Sequence, residues 1–131
     1  MSSSAGDLGF VMLIDDSKVD NFINTKVLEM SWRTTSILAF DNAAEAIEYL
    51  KGPNPLPNYI FLDLYMPTMD GFDFLEEFEK HSTAKGNVRV VLLSGAYDTP
   101  EVVRIKKYTW IAGCLVKPLT YEALNQESIL Q

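Results

Sequence analysis

Five polar residues stand out because each closes or follows an apolar run. Asp15 and Asp16 follow "FVMLI", Asp63 sits in "YIFLDL", Ser94 follows "VRVVLL" and Lys117 follows "AGCLV". Two anions about 4 Å apart repel by roughly 4 kcal/mol at an effective dielectric near 20, so the adjacent pair Asp15 and Asp16 calls for a compensating cation. A third carboxylate in the same crevice would raise the pKa values further, and some groups would take protons. A hard, oxygen-seeking divalent ion removes that conflict. Mg²⁺ suits such a set, being held by one or two carboxylates, a carbonyl and several waters, with positions left open for phosphate oxygens. A lysine, a small hydroxyl and a metal around one carboxylate make a cradle for a phosphoryl group.

The elements that must position these residues alternate along the chain. Short β-rich runs at 10–14, 33–40, 59–64, 88–93 and 112–116 read as strands, and the third is apolar on both faces, as buried parallel strands are. Helix-period segments separate them. Ser17 is a candidate N-cap for the first helix, whose Val19, Phe22, Ile23, Val27 and Met30 form one apolar stripe. Asp41 can cap a second helix with Ala43, Ile47 and Leu50 facing inward, ended by Gly52 and the prolines of "GPNPLPN". "FDFLEEFEKHS" is a third helix with a core stripe of Phe72, Leu75 and Phe78. A weaker helix spans 99–108 with Pro100 at its first position, and Thr120 caps a last one.

Strands each followed by a helix, with short connections, call for a parallel sheet covered on both faces. The fold class is therefore doubly wound α/β. All five polar residues then lie at carboxyl ends of strands, where the ligand crevice of such sheets opens. With strand order 2-1-3-4-5, strands one and three are neighbours about 4.8 Å apart, and Asp63 shares a site with Asp15 and Asp16. Lys117 lies two strands away, and its four-carbon stem covers much of that gap.

Size and charge narrow the function classes. The chain has 131 residues, 47% of them hydrophobic, and a net charge of -7, which is enough for one ordinary globular domain. That acidity argues against non-specific nucleic-acid binding and against an anionic membrane surface. The single cysteine, Cys114, cannot form an internal bridge, so a reducing, cytoplasmic setting is expected. Residues 1–8 read as a disordered leader with no secretory features, and no apolar run approaches the ~20 residues of a membrane helix.

"LIDDS", "FLDLYMPTMDG", "LLSGA" and "CLVKPL", in this order, resemble the receiver domain of two-component response regulators, over roughly residues 8 to 130. The resemblance implies a flavodoxin-like receiver fold over 9–131, with Asp63 as phosphoacceptor. It implies Mg²⁺ bound by Asp16, Asp63 and the Tyr65 carbonyl, with Asp15 acting mainly through water. Ser94 and Lys117 would contact phosphoryl oxygens, and the Lys117–Pro118 bond would be cis. The phosphodonor would be a histidine kinase or a histidine phosphotransfer protein. An aromatic residue that often stands three positions before the lysine is replaced here by Cys114, which has no ring to swing inward. Tyr65 borders the expected path of the hydrolytic water.

The expected function is that of a single-domain response regulator, not an enzyme in its own right, signalling to an unknown downstream protein or passing the phosphoryl group onward. The alternative is an interaction module of receiver fold that acts without phosphorylation. A metal-dependent phosphatase would need a substrate-enclosing cap, and no insertion can form one. Several residues have plainer readings: His81 as a solvated helix cap, and Tyr108 and Trp110 as either partner anchors or packing.

Overall fold

Strands buried on both faces build the centre of the molecule. Successive residues of each central strand are apolar and point to opposite faces, so the sheet buries both faces only if helices cover each of them. The computed structural model describes residues 8–31, 34–64, 71–80, 88–94, 111–117 and 119–124. Its strands are β1 (Gly9–Ile14), β2 (Thr34–Phe40), β3 (Tyr59–Asp63), β4 (Arg89–Ser94) and β5 (Ile111–Val116). All are parallel, in the order β2-β1-β3-β4-β5. The helices described are α1 (Lys18–Met30), α2 (Ala43–Lys51), α3 (Gly71–Lys80) and α4 (Tyr121–Leu124).

The two faces carry separate cores. Met12, Ile14, Ile60, Leu62, Val90 and Leu92 point to one face, where α2 brings Ile47 and Leu50 and α3 brings Phe74, Leu75 and Phe78. Val11, Leu13, Phe61, Val91, Leu93 and Leu115 point to the other, against Leu28 of α1 and Leu124 of α4. Central β3 has Ile60, Phe61 and Leu62 all fully buried, as its unbroken apolar sequence predicts. Leu8, read as the end of the leader, is instead buried in the second core.

The largest departure from the sequence reading is the rotation of α1. Most of its stripe faces water: Val19, Phe22 and Met30 are each more than 60% exposed and Ile23 is exposed as well, while Val27 is half-buried against the second core. Asn21, Asn24 and Leu28 face inward in their place. At 100° per residue these three lie opposite the stripe. The cause is visible at Asn21, whose Nδ2 donates to the Asp15 carbonyl at 2.9 Å and to the Phe40 carbonyl at 3.2 Å. The first bond satisfies the Asp15 carbonyl just beyond β1, and the second adds to the bond that the Phe40 carbonyl accepts from the Asp15 N–H.

Capping is shifted by one residue at α2. Asn42, not Asp41, is the N-cap, its Oδ1 accepting from the backbone N–H of Ala44 at 2.8 Å and of Glu45 at 3.2 Å. Asp41 faces the solvent-exposed Lys18 ammonium at 3.6 Å. Ser17 and Thr120 cap α1 and α4 as their positions predict. The helix expected over 99–108, together with Tyr65, His81, Tyr108, Trp110 and Pro118, lies outside the described residues.

Gly71 ties α3 to the strand end that carries Asp63. Its N–H donates to the Leu64 carbonyl at 2.9 Å. A Cβ there would stand 2.6 Å from Leu64 Cα and 2.8 Å from the Asp63 carbonyl oxygen, both parts of the backbone. Gly71→Ala should therefore lever α3 away from β3 and destabilise the chain by about 1–3 kcal/mol. Urea unfolding checks this: the midpoint should fall with little change in slope.

Candidate functional site

Register alone brings the acidic residues together. Ile14 is paired with Leu62 and Phe40 with Ile14, so Asp15 and Asp63 emerge one residue beyond neighbouring partners. Asp63 is opposite Leu93, and Ser94 is opposite Val116, so Lys117 leaves β5 at the same end of the sheet. The carboxylates of Asp15, Asp16 and Asp63 offer oxygens that all lie within 4.8 Å of one another. Asp15 and Asp63 are buried, while Asp16 is exposed at the mouth.

Asp15 is held from several sides. Its N–H donates to the Phe40 carbonyl at 3.1 Å, and its Oδ1 accepts from the Ser17 N–H at 2.9 Å. Its Oδ2 is buried and has no aligned hydrogen-bond donor among the described residues, although Lys117 Nζ lies 3.2 Å away. That contact is an ion pair without hydrogen-bond alignment. Burial raises the Asp15 pKa above its ordinary 3.8, and the Ser17 N–H and the Lys117 ammonium pull it down without cancelling the rise.

Lys117 crosses from β5 to the centre of this group. Its Nζ stands 3.2 Å from Asp15 Oδ2, 3.5 Å from Asp63 Oδ1 and 3.2 Å from Asp20 Oδ2. Burial disfavours the ammonium, but the surrounding carboxylates, Asp15 and Asp63 foremost, outweigh it and lift the pKa above 10.5. The amine is therefore a fixed positive charge at neutral pH. A single ammonium facing three carboxylates, with Asp16 beside two of them, leaves excess negative charge in the crevice.

The donor set fits a hard divalent cation. It consists of carboxylate oxygens, one of them buried and without a hydrogen bond, and it contains no thiolate or imidazole. Asp15, Asp16 and Asp63, singled out in the sequence, are thus brought together, and Lys117 joins them. Ser94 closes β4 at the same end, but its hydroxyl lies outside the described part of the chain, as does the Tyr65 carbonyl. Cys114 is half-buried on β5 against the core shared with α2 and α3.

Asp20 is the site residue that the sequence reading passed over. Ser17-x-x-Asp20 has the spacing of a capping box, in which the acidic residue reaches back to the N-cap N–H. Only half of that box forms. Asp20 N–H donates to Ser17 Oγ at 3.1 Å, while the Ser17 N–H is already taken by Asp15. The Asp20 carboxylate turns to Lys117 instead.

A model of the response regulator receiver domain matches residues 11–128. The chain is 37% identical over 115 residues to the sensor histidine kinase CheAY of Helicobacter pylori, covering 88% of this chain and 14% of that protein. It is 36% identical over 86 residues to the two-component response regulator ORR7 of Oryza sativa subsp. japonica, covering 65% of this chain and 39% of that protein. The chain thus spans well under half the length of these two relatives. Among solved structures it is similar to a two-component response regulator from Cytophaga hutchinsonii, with a TM-score of 0.81 at 30% identity, covering 91% of this chain and 92% of that one.

Proposed function

We propose, from the fact that this chain belongs to the response regulator receiver domain family, that it accepts a phosphoryl group on Asp63 from a histidine kinase or histidine phosphotransfer protein. The observation that carries this reading is the meeting of Lys117 with Asp15 and Asp63 at 3.2 and 3.5 Å, across three strands. Asp15, Asp16 and Asp63 would hold Mg²⁺, which supplies positive charge to the phosphoryl oxygens when bound. An Asp63 oxygen attacks phosphorus as the bond to the donor imidazole nitrogen breaks, and the imidazole keeps that electron pair. Lys117, charged throughout, neutralises developing charge on the transferred group. Ser94, the last residue of β4, would follow the new oxygens, giving a local switch that a downstream protein can read.

The outward stripe of α1 supports the protein donor. A donor histidine must reach the mouth of the crevice, and the amino end of α1 stands there through Ser17 and Asp20. From that end runs an exposed apolar surface of Val19, Phe22, Ile23 and Met30, on the side of α1 turned away from the core that its Leu28 joins. Phe22→Asp should slow phosphotransfer from the protein donor by at least about tenfold, as loss of a buried aromatic anchor does. The rate with a small phosphodonor should stay within about twofold, because the substitution is outside the crevice. Equal slowing with both donors would count against the docking role.

No helix among the described residues is long and apolar enough to cross a membrane. Intact mass after incubation with acetyl phosphate and Mg²⁺ tests the function. One Mg²⁺-dependent phosphoryl adduct is expected. Absence of any adduct would favour an interaction module that works without phosphorylation.

A further inference from the structure

Lys117 has more anionic partners than its expected role requires. Contacts with Asp15 and Asp63 place the ammonium where a transferred group would arrive, yet Asp20 binds it as closely as Asp15 does, at 3.2 Å. Asp20 comes from α1, not from a strand end, and its carboxylate is free for this contact because Asp15 occupies the Ser17 N–H that a capping box would offer it. Its side chain is 39% exposed and that of Lys117 is 26% exposed, so the pair sits at the lip of the crevice, whereas Asp15 and Asp63 lie beneath it.

Three acceptors then compete for one ammonium, and two of them are the buried carboxylates that a cation needs. Each step of ammonium movement toward Asp15 and Asp63 raises the cost of placing a second positive charge there. We propose that Asp20 is a positioning residue for Lys117: its carboxylate holds the ammonium at the lip, leaves Asp15 and Asp63 to a divalent cation, and yields the ammonium once a phosphoryl group is on Asp63. The proposal rests on the phosphoacceptor reading only for that last step. It also gives the broken capping box a reason, since a carboxylate turned back on its own helix could not reach Lys117.

Four proteins test it: the unsubstituted chain, Asp20→Asn, Lys117→Met and the double variant, with Mg²⁺ affinity measured by calorimetry. Asp20→Asn keeps the side-chain volume and the backbone bond to Ser17 Oγ, and matched thermal unfolding confirms an intact fold. With Lys117 present, Asp20→Asn should weaken Mg²⁺ binding about fivefold, because the ammonium settles onto the metal ligands. With methionine at position 117 the same substitution should change affinity by less than about twofold, the part due to a solvent-screened charge alone. Asp20→Glu should restore most of the affinity. Equal weakening in both backgrounds, or none in either, overturns the positioning role. Acetyl phosphate adds a separate readout at saturating Mg²⁺: Asp20→Asn should be phosphorylated about threefold faster, again only with Lys117 present. A chain that shows the coupled Mg²⁺ effect but gains no adduct would end the phosphoacceptor reading and leave the Asp20–Lys117 link standing.

Discussion

Asp63→Asn is expected to abolish the Mg²⁺-dependent adduct, with no mass gain detectable after an incubation that fully modifies the unsubstituted chain. The argument is chemical before it is positional. An amide oxygen is a far weaker nucleophile than a carboxylate, and the substitution removes a metal ligand at the same time. Other carboxylates are nearby, so the loss is a demanding test. Asp15 lies within 4.8 Å of Asp63 and Asp16, but its Oδ1 is tied to the Ser17 N–H and its Oδ2 is buried beneath Lys117. Asp16 is exposed at the mouth of the crevice, and none of the Lys117 ion pairs among the described residues reaches it. An adduct that persists in Asp63→Asn would move the acceptor to one of these neighbours.

Lys117→Met should slow phosphorylation by small donors by about 100- to 1000-fold at saturating Mg²⁺, the range seen when one preorganised charged or hydrogen-bonding group is taken from a transition state. Methionine keeps the length and apolar stem of lysine, so packing against β5 is retained while the charge is lost. The size of the effect follows from burial. Lys117 stands within 3.5 Å of both Asp15 and Asp63, two buried carboxylates, where water screens little. Mg²⁺ affinity should not fall in this variant, because a competing cation has been removed. A rate within about threefold of the unsubstituted chain would show that the ammonium serves structure and not transfer.

The sheet was legible because the strand pattern has only one economical solution. Unbroken apolar runs such as "YIFLDL" demand cover on both faces, and the strand order comes from the common order of this doubly wound fold type. The same logic placed Asp15, Asp63 and Lys117 at one end, and the resemblance assigned their roles. What periodicity could not give was the orientation of α1. An apolar stripe ordinarily marks the core side of a helix, but here the core side is set by Asn21, whose amide serves carbonyls of Asp15 and Phe40. Those acceptors are remote from one another in sequence and meet only when β1 pairs with β2. Asp20 was hidden for a related reason. Locally it reads as a helix cap, and only the tertiary position of Lys117 shows where its carboxylate goes. Asp41 reads in sequence as the cap of α2, and the neighbouring Asn42, an equally good capping residue, takes that place in the structure.

The most direct test of the central claim is a crystal structure of this chain grown with Mg²⁺ and beryllofluoride, a mimic of the phosphoryl group. The account predicts one ion held at about 2.0–2.1 Å by Asp63 and an acidic neighbour from the end of β1, with the beryllium on an Asp63 oxygen. It also predicts the Lys117 ammonium within hydrogen-bond reach of a fluoride. An ion bound elsewhere, or beryllofluoride absent from Asp63 with Lys117 turned to solvent, would contradict it.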